Sequence, residues 1–428
     1  MVQVKKINHN RIMQDQTNSS QTTTLHVKSG LGSYKQSPYH LITANLQAVS
    51  FITGWWTIQS IQFTGDFDAN EDGEYLNTYG QHCIGLSFSS SETFDHYITR
   101  ISALFPDHQF YQSAVIACAR AICTLFDHTF PSSPEAQKQI VPWTSIISYD
   151  EAVQRWTALP SCVLIPPSYA EKSPLSIEEN LALDEACLYA VATGVLPPLI
   201  RFWSCYTPAV VIGKFQSVSH EINIHKAVEQ KYHIVRRMTG GGTMIIEPHK
   251  TLLYSVILPT SVFSSLTAEQ RYVFCDSWVF HSFDHSSVPL YHEPINDLSS
   301  PYGKVGGAAA IQWINGSQNA LLHHTALSYE ASVAAFSSIL QSHHEKYMDK
   351  TVKSAQKRVA PLSVLYQKVG KRIPSWNMIS QQLANSAQTL IPHHHIFHLT
   401  DLPILVQTEM QRLVRTKYST KQWTYRIP

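Results

Sequence analysis

Between residues 176 and 327 the chain alternates amphipathic stretches with short apolar runs rich in β-branched and aromatic residues, and this alternation most narrows the folds open to it. "SIEENLALDEACLYAV" opens on Ser176 and places Leu181, Ala182, Glu185, Ala186, Leu188 and Tyr189 at helical spacing. "PLIRFWSC", "PAVVIGKF", "HIVRRM" and "TLLYSVIL" read as strands, with "HKAVEQKY" a helix among them. Residues 266–285 read as a further helix, and 299–331 as strand, turn, strand and strand. A sandwich of regular short strands does not suit this order. A mixed β-sheet covered by helices does, so the expected class is α+β.

The chain has 428 residues, enough for two or three domains, and is 44% hydrophobic, enough for real cores. Residues 1–50, polar at their start, read as a disordered head. Residues 51–130 read as a small α+β domain: the alternating strand "WWTIQSIQFTGDF", a helix stopped by Gly85, a serine-capped helix carrying Phe94, Ile98, Ile101 and Phe105, and "QSAVIACARAICTLF". Prolines then mark a linker over 131–160, and residues 161–428 form the larger domain.

Several function classes are disfavoured. The formal net charge is +1 with no basic block, which argues against a nucleic-acid partner. The 22 histidines are scattered or sit in runs such as His393-His394-His395, without metal-ligand spacing. Seven cysteines at 83, 118, 123, 162, 187, 205 and 275 include no CxxC and read as reduced thiols. No apolar run is long enough to span a membrane, and the polar start lacks a secretory core. The expected compartment is the cytoplasm, or the mitochondrion if the source is eukaryotic.

Three local features carry chemistry. The first is Arg236-Arg237-Met238-Thr239-Gly240-Gly241-Gly242-Thr243, a glycine-rich turn after an apolar strand. Glycines allow positive φ and close backbone approach, consecutive N–H groups can cradle an anion, and a neighbouring arginine offers a planar fork to phosphate or carboxylate. It is neither a P-loop nor GxGxxG. The second is Asn296-Asp297-Leu298 followed by Gly303-Lys304-Val305-Gly306-Gly307-Ala308-Ala309, a lysine among small residues whose ammonium could stabilise charge on an acyl-phosphate oxygen. The third is Leu321-Leu322-His323-His324-Thr325, a histidine pair on an apolar strand. Each alone has an ordinary reading: a flexible turn, a solvated hairpin lysine, a satisfied core histidine.

Taken in order, the three resemble the lipoate–protein ligase family, within the biotin/lipoate ligase superfamily. "ENLALDEACL" resembles the opening helix of those enzymes, and "PAVVIGKFQSVSHEIN" their strand and turn. "SAQKRVAPL" and "TKYSTKQWTYR" resemble the end of their catalytic domain, with Trp423 at the usual tryptophan. The likeness covers about 165–428. The small unit is similar to the family's accessory domain, here placed before the catalytic domain. The resemblance implies attachment of lipoate or octanoate to a lysine through an acyl-adenylate, using ATP and Mg²⁺. The implied partners are lipoyl domains of 2-oxoacid dehydrogenase complexes or the glycine-cleavage H protein. It implies Lys304 as the catalytic residue. Arg237, Gly240, Gly241, Gly242, Thr243, Asn296, Asp297, Gly307 and His324 are the implied binding residues, with Asp297 also the metal contact.

The chain departs from the family pattern after the glycines. Ile246-Glu247-Pro248-His249-Lys250 stands where the family has His-Asp-Xaa-Gly-Asn, so the Gly-Asn pair is missing and Glu247 takes the aspartate's place. The alternatives are therefore a transferase using a preformed acyl donor and a carrier-binding pseudoenzyme. A cysteine acyl-enzyme needs a reachable thiolate, yet 304–428 has no cysteine, and Cys275 lies beside Val273 and Phe274 on an apolar helix. A biotin ligase is disfavoured because its Gly-Arg-Gly-Arg type of loop is absent.

Overall fold

The computed structural model describes residues 26–35, 41–52, 55–65, 73–106, 109–126, 142–168, 174–284, 288, 290–294, 296–331, 333–341 and 359–427. The chain divides into two compact units, a small one holding 26–35, 41–64 and 74–126 and a large one holding 142–427.

The small unit is a sheet of β1 (His26–Lys35), β2 (Leu41–Ile52), β3 (Trp55–Gly65) and β4 (Ser87–Ser89) in that order. On β2 Ile42, Ala44, Leu46 and Ala48 are buried on one face while Asn45 and Gln47 are exposed. Helices Phe94–Ser102 and Gln109–Leu125 pack on the sheet, with Ile58, Ile61, Phe63, Leu76 and Phe88 also buried. The expected disordered head is corrected here, because residues 26–35 and 41–50 are strands; residues 1–25 lie outside the described residues. Alanine and glycine are poor strand formers, so β1 and β2 read weakly from sequence. Packing overrides that preference: Lys28 Nζ donates to the Leu125 carbonyl at 2.8 Å and the Leu31 amide to Thr124 Oγ1 at 3.1 Å.

The large unit is built on an eight-stranded mixed sheet. Its strands are β5 (Cys162–Ile165), β6 (Leu199–Trp203), β10 (Thr251–Pro259), β11 (Tyr291–Glu293), β12 (Asp297–Ser300), β13 (Gly303–Asn315), β14 (Gln318–Ser328) and β15 (His394–Ile396). They run in the order β11-β12-β13-β14-β10-β6-β5-β15. A second sheet sets β7 (Ala209–Ile212) between β8 (His233–Arg236), parallel, and β9 (Met244–Ile246), antiparallel. The α+β class with a mixed sheet and covering helices is what the structure has.

Helices cover both faces of the large sheet. Ile177–Ala192, opened by a capping box between Ser176 and Glu179, packs with Ile404–Leu413 against Leu199, Trp203, Leu253, Ile257 and Leu322. Ala268–Asp284 and Trp376–Leu390 pack on the other face with Phe202, Tyr254, Val256 and Leu321. Part of the expected linker belongs to this second core. Helix Tyr149–Thr157 and the turn before it bury Trp143, Ile147, Ala152, Trp156 and Leu159, and Trp156 Nε1 donates to Ser277 Oγ at 3.0 Å. Aromatic anchors with no clear period were hidden behind the prolines, of which 131–141 lie outside the described residues.

Candidate active site

Strand pairing brings Asp297, Gly307 and His324 to one face of the large sheet. On β13, Gly307 lies opposite Asp297 of β12 and Ala326 of β14, and Ala309 lies opposite His324. These residues share the sheet face covered by helix Ile177–Ala192. Simple alternation would put Lys304 on the other face, with Gly306, Ala308 and Ala310. The ladder is interrupted there: Leu298 pairs with Gly306 but Ser299 with Lys304, so Val305 is an extra residue. Val305 packs into the core of the opposite face with Leu298 and Ala308, and Lys304 is turned back to the face of Gly307.

Lys304 Nζ donates to Asp297 Oδ1 at 2.5 Å. Gly307 makes room for this pair, since a Cβ built on it would stand 3.0 Å from both Lys304 Nζ and Asp297 Oδ1. The lysine side chain keeps 42% of its surface exposed and the aspartate 24%, so the pair is accessible to a substrate. Asn296 uses its amide on the Ala308 carbonyl at 2.6 Å while its own carbonyl accepts the Ala308 N–H at 2.9 Å. It braces β13, a use that differs from the expected nucleotide contact.

The glycine loop comes down on the same face. Gly241 has φ +82°, and a Cβ there would lie 3.0 Å from Arg237 Nη2 and 3.7 Å from Ala309 Cβ. A side chain at Gly213 would collide with the Gly241 carbonyl, so that glycine is what lets the end of β7 and the loop meet. Thr243, leaving the loop, donates to Gln216 Oε1 at 3.1 Å, which also accepts the Gly213 N–H at 2.8 Å.

Arg237 does not offer the free fork that the sequence suggests. It is buried, and its guanidinium donates to the carbonyls of Gly240 (2.5 and 3.0 Å), Gly242 (2.8 Å) and Val211 (3.2 Å) and to Thr239 Oγ1 (3.0 Å). The arginine shapes the loop. Its phosphate-binding appearance came from composition, and folding turned its donors onto the chain's own carbonyls. Arg236 likewise holds the carbonyls of Gly213, Lys214, Gln216, Thr424 and Ile427. Trp423 Nε1 donates to the Arg236 carbonyl at 2.8 Å, so the chain's last turn closes under the loop.

Beneath the loop is a small cavity of about 10 Å³, room for roughly one water, with an apolar wall of Leu181, Trp203, Val211, Met244 and Leu253 and with Arg237, His324 and Thr325 completing its lining. Leu253 and Trp203 face each other across β10 and β6, in the row that continues to Ala326 and Gly307. That row ends at Asp297, so the Lys304 ammonium bonded to it lies on the same sheet face as the apolar wall.

One residue that matters here was not singled out by the sequence. Asp184, on helix Ile177–Ala192, is buried and accepts from Arg201 Nε at 2.8 Å and Nη2 at 2.7 Å, from Ser255 Oγ at 2.9 Å and from His324 Nδ1 at 3.2 Å. Burial pulls its carboxyl upward, but Arg201 and His324 outweigh that and hold it below the ordinary value. His324 Nε2 lies 2.7 Å from Thr239 Oγ1, the residue that starts the glycine run, and burial moves the imidazole's pKa down. A buried polar position inside an apolar helix was the available signal.

Glu247 does not reach the loop. It follows β9 in a tight turn where its carboxylate accepts from Tyr232 Oη and Lys250 Nζ, both at 3.1 Å, while His249 takes φ +57°. Asp297 could serve a magnesium ion held mainly by phosphate oxygens, which needs only one or two protein carboxylates. Among the described residues no group of three His, Cys, Asp or Glu side chains is arranged to hold a metal by itself.

The large unit has the mixed sheet and covering helices of a lipoate ligase catalytic domain. Residues 176–387 match the family model of the lipoyl protein ligase A/B catalytic domain, and over this domain the chain is similar to the lipoate–protein ligases. The octanoyltransferase LipM of Macrococcus caseolyticus is 44% identical over 82 residues, which are 19% of this chain and 29% of that protein. The match thus spans less than a third of that relative's length. The octanoyltransferase LipM of Halalkalibacterium halodurans is 23% identical over 274 residues, covering 58% of this chain and 94% of the relative. A bipartite lipoate protein ligase from Thermoplasma acidophilum, solved in a study that included its E2 lipoyl domain, is similar at TM-score 0.48 and 23% identity, covering 63% of this chain and 98% of that one. No helix among the described residues is long and apolar enough to cross a membrane.

Proposed function

We propose that this protein is an ATP-dependent ligase that joins lipoate or octanoate to a lysine of a lipoyl carrier domain through an acyl-adenylate. The observation that carries the reading is the convergence, on one sheet face, of an apolar wall, a glycine loop and an accessible lysine ammonium. The acyl chain would lie along that wall against Leu181, Trp203, Met244 and Leu253, with the cavity widening to admit it. Its carboxylate would attack the α-phosphate of ATP with loss of pyrophosphate. The carrier lysine would then attack the mixed anhydride and release AMP. Lys304 would hold the acyl and phosphate oxygens, where charge develops in both steps, leaving Asp297 to face the nucleotide or its Mg²⁺. Arg237 would act on the loop rather than on the ligand.

The relatives named octanoyltransferase favour a second reading, transfer from a preformed octanoyl donor. A cysteine route of that kind needs a low-pKa, reachable thiol. All seven cysteines are buried. Burial pushes Cys162, Cys187 and Cys205 up to about 12 and Cys123 up to about 11. Cys275 is raised as well, by burial first and then by Asp276 beside it. Direct transfer without a thioester stays open to the test. An apo lipoyl domain is incubated with the enzyme and either ATP, Mg²⁺ and free acid, or an octanoyl donor alone, and its mass is read. A gain of the acyl mass with ATP and free acid, together with a trapped acyl-adenylate, is the expected result. Modification only by the preformed donor overturns the ligase reading.

The small unit would serve as an accessory domain that aids adenylate formation, acting for the large unit on a lipoyl domain of a 2-oxoacid dehydrogenase or on the H protein of glycine cleavage. A chain lacking it should begin near residue 134, since a start at Ser161 would remove Trp143 and Trp156 from the core.

A further inference from the structure

We infer that Asp184 is a positioning residue of this site: through the imidazole of His324 it fixes the hydroxyl of Thr239, and with it the glycine loop. The inference rests on the reading that the loop holds the acyl-adenylate. It follows from the direction in which each hydrogen bond can run. Arg237 Nε only donates, so Thr239 Oγ1 accepts there, at 3.0 Å. An ionised carboxylate only accepts, so His324 carries its proton on Nδ1, toward Asp184 at 3.2 Å. In the neutral imidazole Nε2 is then an acceptor, and the Thr239 O–H donates to it across 2.7 Å. The chain Arg237 to Thr239 to His324 to Asp184 has one consistent arrangement of protons.

Asp184 can impose that arrangement because it is itself held by the sheet. Arg201, Ser255 and His324 form one row across β6, β10 and β14, and all three meet its carboxylate. At the other end of the chain, Arg237 turns the Gly240 and Gly242 carbonyls onto itself. A planar peptide then sends the N–H groups of Gly241 and Thr243 the opposite way. Thr239 is the joint between these two systems, since its hydroxyl meets His324 and its carbonyl accepts the Lys214 N–H at 2.8 Å. Replacing Asp184 by asparagine would offer an N–H to Nδ1, move the imidazole proton to Nε2 and reverse the bond to Thr239.

The test uses the full-length protein. Nitrogen-15 NMR of the histidine rings should show His324 protonated on Nδ1 in the wild type and on Nε2 in Asp184→Asn. The same variant should lose roughly tenfold to a hundredfold in kcat for carrier acylation, the range seen where a carboxylate orients a functional histidine, with KM for the carrier little changed. Asp184→Glu should restore part of the rate. Because Asp184→Asn leaves Arg201 buried without its partner and could unfold, Thr239→Val breaks the chain at the other end with that ion pair intact. It should show a similar loss, and Thr239→Ser should recover. If the relay is real, Asp184→Asn/Thr239→Val is no slower than the slower single variant. Multiplicative losses, an Nε2–H tautomer in the wild type, or wild-type kcat in Asp184→Asn or Thr239→Val overturns the proposal. Failure of the wild type to acylate any carrier instead overturns the ligase reading, while the tautomer measurement still decides the relay.

Discussion

Two adjacent histidines on β14 meet opposite worlds. His323 faces helix Ala268–Asp284, where its Nε2 lies 2.8 Å from Asp276 Oδ1; Tyr254 Oη at 2.6 Å and Thr325 Oγ1 at 3.0 Å donate to the same oxygen. That network is closed: every partner is buried among Phe274, Trp278 and other core side chains. His324 faces helix Ile177–Ala192 and also finds an aspartate, but its second nitrogen reaches out of the sheet to the glycine loop. The residue types and the strand are the same, and the aspartate partner is the same in kind. What differs is that His324 also bonds Thr239 at the start of the glycine loop. A closed polar network serves packing and a unique core, whereas one that ends in a loop beside a cavity can pass position to a ligand.

The largest expected effect lies at the loop's neighbour on this functional face. Lys304→Ala should remove carrier acylation by about a hundredfold or more, as loss of a transition-state charge partner does. Its thermal midpoint should stay within a few degrees, because the side chain is partly exposed and packs no core. Near wild-type turnover in a mass-based assay would erase the distinction between the two faces.

Gly241→Val should follow. A β-branched residue at φ +82°, with its Cβ 3.0 Å from Arg237 Nη2, strains the backbone by about 1–3 kcal/mol and disturbs the carbonyl cradle. Calorimetry with a non-hydrolysable acyl-adenylate should show binding weakened at least tenfold. Unchanged binding by the folded variant would mean the loop does not line the ligand site.

The histidines give the direct comparison. His324→Gln should lower kcat about tenfold and, because it too leaves buried partners (Asp184 and Thr239) unmet, cost about 1–3 kcal/mol in stability. His323→Gln should leave kcat alone and cost about 1–3 kcal/mol in denaturant unfolding, the penalty for a buried network left short of a partner. The opposite pattern would exchange the roles assigned to the two faces.

A pH series sharpens the same point with a smaller effect. Burial lowers His324, and also His220 and His292, below the ordinary histidine value of 6.5. The unfolded chain therefore binds these protons before the folded one does. Stability is complete above about pH 6.5 and declines as the pH falls below it toward the folded-state values. His324→Gln should flatten part of that decline, and an unaltered profile would show that His324 is not titrating against a buried environment. The smallest effect on turnover belongs to Cys275→Ala, in the closed core, which should transfer at a near-normal rate. A thioester on Cys275 in intact-mass analysis would move the chemistry to the other face.

Much of the large unit was legible before folding. The capped helix 177–192, the strands around the triple glycine and the hairpin 303–328 all announce themselves by period and by local turn chemistry, as do the candidates Lys304, Asp297, Gly241 and His324. Less legible were β1 and β2, whose glycines and alanines fold as strands only because a helix covers them, and Tyr149–Thr157, whose tryptophans carry no clear period. Local preference is a property of a few neighbouring residues, and sequence states it directly.

Three matters belonged to the tertiary structure. Alternation assigns Lys304 to the core side of β13, and only the extra residue Val305 in the ladder returns it to the site. Composition makes Arg237 a phosphate fork, whereas burial commits its donors to the loop's own carbonyls. Asp184 lies 140 residues from His324 in the chain, and only sheet pairing brings the two within a hydrogen bond. The physical reason is common to all three. Which face a side chain takes, and which partner a buried donor finds, depends on register and long-range contact, and a one-residue shift reverses the face. The sequence by itself determined that this protein would have a glycine loop, a lysine among small residues and an apolar sheet; the fold decided that they meet.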